Sequence, residues 1–319
     1  MSRIIFVPQY PTKLRYQEWL FWKLPDEFEK AGLRVHVLGK NAVTYIKAAN
    51  GGMFSPIESA IDLETAQIKE YMSMSLEEDD ILFMADLSFP GLFGNVLFHK
   101  RPKRCFAYCH ATSLNILDYF EPDRVEKFPI ETSHANLMDV VFIGSNYHDK
   151  KLGWNNTIVT RLPYPPLETF KEEKELFMVS ASRPTPQKVD SALESCIENE
   201  NKFPIVRKDC LNWKDYYKFL SKAKVLLITS WEDTFGYQIV DAVLNGCIPL
   251  APNRCSYPEL LPPECIYDSK EDLLKKLRYL STLEVMPPTP ELLCHQEMED
   301  FYKNIIQVMK GEMLSDRPF

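Results

Sequence analysis

The sequence predicts an α/β protein of two Rossmann-like halves, each a parallel sheet covered by helices. Three observations carry this. Short apolar runs rich in β-branched and aromatic residues alternate with helical patterns along nearly the whole chain. That alternation is interrupted once, at Tyr164-Pro165-Pro166 and the charged run 172–175, and then restarts. The length, 319 residues, accommodates two domains of roughly 150 residues each.

Strands are expected at 3–8, 35–39, 80–86, 104–110, 139–145 and 157–162, with helices at 16–31, 57–76 and 124–137 between them. After the break, strands are expected at 176–182, 205–208, 224–229 and 247–251. The helices of this half are expected at 189–199, 213–223, 237–245 and 270–280, with one last helix over 292–310. Runs buried on both faces and joined by helices form right-handed βαβ units. The expected divisions are an acceptor domain 1–168, a nucleotide-sugar domain 169–291, and a C-terminal helix 292–319 packing back on the first domain. Ligands of such sheets bind beyond the carboxyl ends of the strands, which places a cleft between the halves.

Composition narrows the class. The hydrophobic fraction is 45% and the charged fraction 26%, ordinary for a protein with a large core. No apolar run approaches the roughly 18–20 residues of a membrane span, so no stable membrane insertion is expected. A strand-like run opens at Ile4, leaving no space for a secretory leader, and a cytoplasmic location is expected. The eight cysteines contain no CxxC pair and the histidines no HxxxH pair, so neither a zinc site nor another metal site is expected. A net charge of −8 argues against an extended polyanion-binding face. One basic cluster stands out: His99, Lys100, Arg101, Lys103 and Arg104. It is read either as a helix end before a strand or as a contact for an anionic acceptor.

The most informative stretch runs from Lys224 to Pro262. A buried strand ends near Ser230, a turn carries Glu232, Asp233 and Thr234, and Phe235-Gly236 opens a helix that continues through Tyr237. Gly236 lets the backbone approach a ligand, and free amides at a helix start favour a phosphate. Asp241 follows Asp233 by about two helical turns, which predicts both carboxylates on much the same face. An N-capping role for Asp233 fits the same pattern.

This stretch resembles the C-terminal signature of family-4 retaining glycosyltransferases of the GT-B fold. The resembling residues are Asp233-Thr234-Phe235-Gly236, Asp241, Asn245-Gly246-Cys247-Ile248-Pro249 and Tyr257-Pro258-Glu259-Leu260. The family has Glu where this chain has Asp233 and Asp241, so Glu232 shares the candidacy for the first donor carboxylate. The resemblance implies transfer of a sugar from a nucleoside-diphosphate sugar to an acceptor hydroxyl without metal or other cofactor. It implies donor-sugar hydroxyls on Asp233 and ribose hydroxyls on Asp241. It further implies a diphosphate clamp from Arg183 and Lys188, whose charge suits a leaving diphosphate.

His110, just past the carboxyl end of a strand, points toward the cleft; by the resemblance it orients the donor sugar. Gln9, Tyr10, Lys13, Arg15 and Asp86, after the first and third strands, are expected on the acceptor side. The aromatics of helix 16–31 read as core. The Tyr257-Pro258-Glu259 turn and the strand from Cys247 to Pro252 also resemble tRNA-queuosine mannosyltransferase-like proteins, and the Phe235-Gly236-Tyr237-Gln238 run resembles phage DNA α-glucosyltransferases, so the acceptor is either a modified nucleobase in tRNA or DNA, or a small molecule or glycan. A sugar-nucleotide epimerase of the same fold and a catalytically silent binding protein are the other readings.

Overall fold

The computed structural model describes residues 2–10, 23–42, 57–116, 120–164, 169–182, 185–200, 204–208, 210, 212–283 and 285–312. The first sheet contains β1 (Arg3–Val7), β2 (Arg34–Val37), β3 (Ile81–Met84), β4 (Arg104–Cys109), β5 (Val140–Ile143) and β6 (Thr157–Val159). They lie in the order β2-β1-β3-β4-β5-β6, every pair parallel. Around them are α1 (Leu24–Lys30), α2 (Ile57–Ser73), α3 (Arg124–Ala135) and α4 (Asn146–Leu152).

The second sheet contains β7 (Glu175–Val179), β8 (Ile205–Val206), β9 (Ala223–Leu227), β10 (Ile248–Pro252) and β11 (Ile266–Tyr267), ordered β11-β10-β9-β7-β8 and again parallel. Its helices are α5 (Ser191–Glu200), α6 (Trp213–Lys222), α7 (Tyr237–Leu244), α8 (Tyr257–Leu260) and α9 (Lys270–Thr282). Two further helices follow, α10 (His295–Glu299) and α11 (Phe301–Lys310).

The apolar runs are buried on both faces because helices cover both faces. One face of the first sheet carries a row of aromatic rings. Phe6 stacks on Phe83 at 5.8 Å, Phe83 on Phe142 at 6.0 Å, and Phe142 on Phe106 at 6.2 Å. Phe28 of α1 meets this row edge-on. Each ring taken out of water contributes roughly 1.5–3 kcal/mol. The opposite face packs Ile5, Leu82, Cys105 and Val141 under Tyr71, Phe93 and Ala135. The aromatic face is continuous with the core of the second sheet through Tyr108, Leu162, Phe235 and Phe301.

Several elements differ from the sequence reading. The last helix is two, α10 and α11, broken at Asp300, which has left the helical region at ψ 1°. Helices α4 and α8 and strand β11 were not expected; all three are short, so none shows a clear period. The helix expected at 16–31 is described only from Leu24, and its aromatics Tyr16, Trp19, Phe21 and Trp22 lie outside the described residues. Among the described residues no helix is long and apolar enough to cross a membrane.

Candidate donor and acceptor site

The chain leaves β9 and turns at 230–236 before α7. Gly236 sits at φ 91°, and a Cβ there would approach the Tyr257 ring to 3.0 Å, so both backbone angle and neighbour demand glycine. The loop after β7 is tied to this turn: Gln187 O accepts from the amides of Trp231 (2.8 Å) and Glu232 (3.2 Å), and Lys188 O from Ser230 Oγ (2.9 Å). Lys188 Nζ donates to the Glu232 carbonyl at 2.7 Å and pairs with Asp233 Oδ2 at 3.2 Å. Asp233 also accepts from Tyr257 OH at 3.3 Å. Cation, carboxylate and helix start thus meet at this turn. Arg183 lies outside the described residues.

Two expectations about this turn change. Helix α7 begins at Tyr237, so Asp233 stands outside it and is not its N-cap. The single-face argument needs a helix running through both carboxylates, and this one does not. Asp241 is fully enclosed inside α7. Thr234 is half-buried and Phe235 is buried against Tyr237, ring to ring at 5.3 Å.

Glu232, the neighbour of Asp233, faces the other half. Its carboxylate accepts from Asn115 Nδ2 (3.1 Å), Tyr147 OH (3.1 Å) and Lys151 Nζ (2.5 Å), with 5% of the side chain exposed. Nearby, Ser145 Oγ donates to the Thr234 carbonyl at 2.6 Å. Glu259 accepts from the amides of Asn146 (2.8 Å) and Tyr147 (2.7 Å) and pairs with Arg161. Asn115, Tyr147, Lys151 and Arg161 were not singled out in the sequence. The signal for the first three was position alone: each follows the carboxyl end of a predicted strand.

In the first half, Gln9, Asp86 and His110 gather at the carboxyl ends of the adjacent strands β1, β3 and β4. Gln9 Nε2 donates to Asp86 Oδ2 at 2.9 Å, and Ser88 N to Asp86 Oδ1 at 2.9 Å. Burial pushes the Asp86 carboxyl up to about 8. Burial, then the neighbouring His148, lowers the His110 imidazole to about 3, so it is neutral at pH 7. The loops behind this group are fixed by Glu131, which accepts from Ser113 N and Oγ, and by Lys127, which donates to Ser88 O and Pro90 O at 3.0 Å each.

Tyr10 does not join the group. It packs on Ala60 and Leu63 at 5% exposure, and a ring so enclosed cannot stack on an acceptor. Lys13 and Arg15 lie outside the described residues. The basic cluster precedes β4 and so stands at the amino end of the sheet, away from the site. There Lys100 Nζ binds the carbonyls ending α2, and Arg104 reaches Met309 O at 2.7 Å. Among the described residues, the carboxylates close enough to share a cation, Glu77, Asp79 and Asp80, lie at the amino end of β3.

Beside the turn at 230–236 a pocket of ≈ 560 Å³ opens at the carboxyl ends of β7, β8 and β9, lined by Thr185, Asp190, Glu194, Arg207 and Trp231 among others. Trp231 is 52% exposed and stacks on the Arg254 guanidinium, 3.9 Å from its ring centre. Two parallel sheets with this site between their carboxyl ends match solved structures over almost their whole length. The lipopolysaccharide outer core galactosyltransferase WaaB superposes with a TM-score of 0.65 at 12% identity, covering 98% of this chain and 100% of that one.

The chain has the GT-B fold.

Other GT-B structures agree. Sucrose-phosphate synthase from Thermosynechococcus elongatus gives a TM-score of 0.59 at 13% identity, over 98% of this chain and 99% of that one. An α,α-trehalose-phosphate synthase (UDP-forming) from Burkholderia vietnamiensis gives 0.60 at 10% identity, over 97% and 95%. In sequence, the tRNA-queuosine alpha-mannosyltransferase of Drosophila melanogaster is 36% identical over 67 residues, which is 21% of this chain and only 18% of that protein. No family model matches. Within the GT-B frame, the turn at 230–236 belongs to the second sheet and the Gln9–Asp86–His110 group faces it from the first.

Proposed function

We propose that this chain is a retaining glycosyltransferase that moves a sugar from a nucleoside-diphosphate sugar to an acceptor hydroxyl. The observation that carries the reading is the Lys188 ammonium, held on the Glu232 carbonyl and the Asp233 carboxylate directly before the start of α7. A diphosphate entering that turn meets a point charge and the amides of a helix start, which together stabilise the charge of a leaving nucleotide. Asp233, freed from Lys188 by the diphosphate, is then available to the hydroxyls of the sugar. The pocket beside Trp231 suits the base. Neutral His110, across the cleft, accepts or donates a hydrogen bond to the donor sugar without adding charge. Retention of configuration follows the signature resemblance, as does the absence of a metal requirement: turnover should survive EDTA undiminished. Loss on chelation, restored by magnesium, would overturn that part. All eight cysteines are free thiols, which supports a reducing, cytoplasmic setting.

For the acceptor we favour a modified nucleobase in tRNA or DNA, supported by the 67-residue match to the tRNA-queuosine enzyme. The basic cluster gives this no support, because it stands on the wrong side of its sheet. A gel-shift titration with tRNA and with hydroxymethylated DNA at two salt concentrations tests it, since phosphate contacts weaken steeply with salt. Absence of binding at low salt redirects the reading to a small molecule or glycan. The donor is tested by thermal shift with UDP, GDP and ADP; a ligand at a hundred times its Kd stabilises by about 2.7 kcal/mol. If none shifts the transition, the donor-site reading falls.

A further inference from the structure

Glu232 is the residue that joins the two halves at the donor turn. Its carboxylate receives hydrogen bonds from Asn115, Tyr147 and Lys151, all from the first half, and is almost wholly enclosed. An ionised carboxylate offers about four acceptor sites; the contacts from Asn115, Tyr147 and Lys151 leave little for a sugar hydroxyl. Asp233 is placed differently. Its side chain is 16% exposed, and its contacts among the described residues are the longer ones to Lys188 (3.2 Å), Tyr257 (3.3 Å) and the Phe235 amide (3.3 Å). The main chain of Glu232 meanwhile accepts Lys188 at 2.7 Å. One residue therefore has its side chain fixed by the first half while its carbonyl aims the ammonium of the second.

We propose that Glu232 is a latch between the halves and a positioning residue for Lys188, that Lys151 is its decisive partner, and that Asp233 alone of the two carboxylates meets the donor. The proposal rests on the donor-site reading above. Closing the cleft at Lys151 fixes the Glu232 carbonyl, and the carbonyl fixes Lys188. Helix α4, which carries Tyr147 and Lys151, is itself held from the second half by Glu259 at its first amides. The contact thus spans the length of that short helix. Arginine can replace lysine here; an uncharged side chain cannot, because the enclosed carboxylate would lose its one cation among the described residues.

The test has two arms. Small-angle scattering of wild type, Lys151→Met and Lys151→Arg reads the relation of the halves without any ligand. Lys151→Met should enlarge the radius of gyration, and Lys151→Arg should restore it. The second arm follows hydrolysis or transfer with UDP-glucose, GDP-mannose and ADP-glucose in Lys151→Met, Glu232→Gln and the double variant, each checked for a single melting transition. A latch predicts about a tenfold rise in donor KM for each single variant, with the double variant no worse than either. Asp233→Asn should instead lower kcat at least a hundredfold. An unchanged radius of gyration in Lys151→Met overturns the latch. So does a Glu232→Gln variant that loses kcat while Lys151→Met is silent, since Glu232 would then be the sugar ligand. If wild type turns over none of the three donors, the donor-site reading fails and the scattering arm still decides the latch.

Discussion

Lys188 is held by main chain and side chain of the same turn, yet its partners are exchangeable for the oxygens of a phosphate. On the proposed donor reading, replacing it with alanine removes a charge-assisted contact to the leaving group, a loss on the order of 3 kcal/mol in the transition state. Lys188→Ala should lower turnover by roughly a hundredfold with the melting transition retained. Wild-type turnover in that variant, measured on purified folded protein, overturns the diphosphate role. His148 gives a different prediction. Its ring is fully buried, neither ring nitrogen has a hydrogen-bond partner among the described residues, and burial, then Lys151, lowers it to about 3. An unfolded histidine titrates near 6.5, so between about pH 6.5 and 3 the unfolded chain binds the extra proton. Stability is therefore present above that window and lost as pH falls through it, by up to about 1.4 kcal/mol per pH unit for each such ring. His110 acts in the same direction. Asp86, raised to about 8, acts oppositely: its contribution is complete below about pH 4 and lost as pH rises toward 8. Urea melts of His148→Leu between pH 4 and 7 should show a flatter acid limb than wild type.

At the scale of elements, the proposed donor turn is a short strand end, a glycine corner and a helix start, and the corner fixes the rest. Gly236→Ala places a Cβ at φ 91° and 3.0 Å from Tyr257. It should cost about 1–3 kcal/mol in a denaturant melt. Nucleoside-diphosphate binding should fall more than stability does, because the amides before α7 are re-aimed. A variant that melts and binds as wild type would mean that the turn is not built around this glycine. This corner was legible in the sequence: Phe-Gly between a buried apolar run and an amphipathic helix admits few other shapes. Lys188 was singled out through the family resemblance, since a cation in a loop after a strand carries little signal of its own. The Asp241 face was not, because period-3.6 reasoning presumes a helix start that only the turn geometry sets. Nor were Lys151 and Tyr147, since a seven-residue helix shows no pattern and its partner lies 81 residues away. Tyr10 was misplaced because exposure of a loop aromatic depends on whether another element, here α2, covers it.

At the scale of the molecule, Arg161 binds Glu259 of the second half at 2.5 Å and also Glu297 of α10. Its side chain is 7% exposed, and two carboxylates would be left facing each other without it. Arg161→Met should cost about 3 kcal/mol, toward the lower end for a broken buried pair because Glu297 is 39% exposed. Adding Glu259→Gln and Glu297→Gln should recover part of the loss; a variant as stable as wild type would show the cluster to be energetically idle. The order of the βαβ units was readable from the alternating runs alone, whereas this cluster joins three distant segments and left no local trace.

Helix α11 closes the first sheet's aromatic face from the far end of the chain. Phe301 lies 6.0 Å from Tyr108, and Met309 O accepts Arg104 across 205 positions. A nascent chain therefore carries an unfinished first half through the whole synthesis of the second. At roughly 5–20 residues per second that interval is on the order of ten seconds or more. During it the apolar surface around Tyr108 of β4 is open to chaperones or to a neighbouring nascent chain. The order of synthesis and the order of completion run in opposite directions in this protein: the half made first is the last to be sealed.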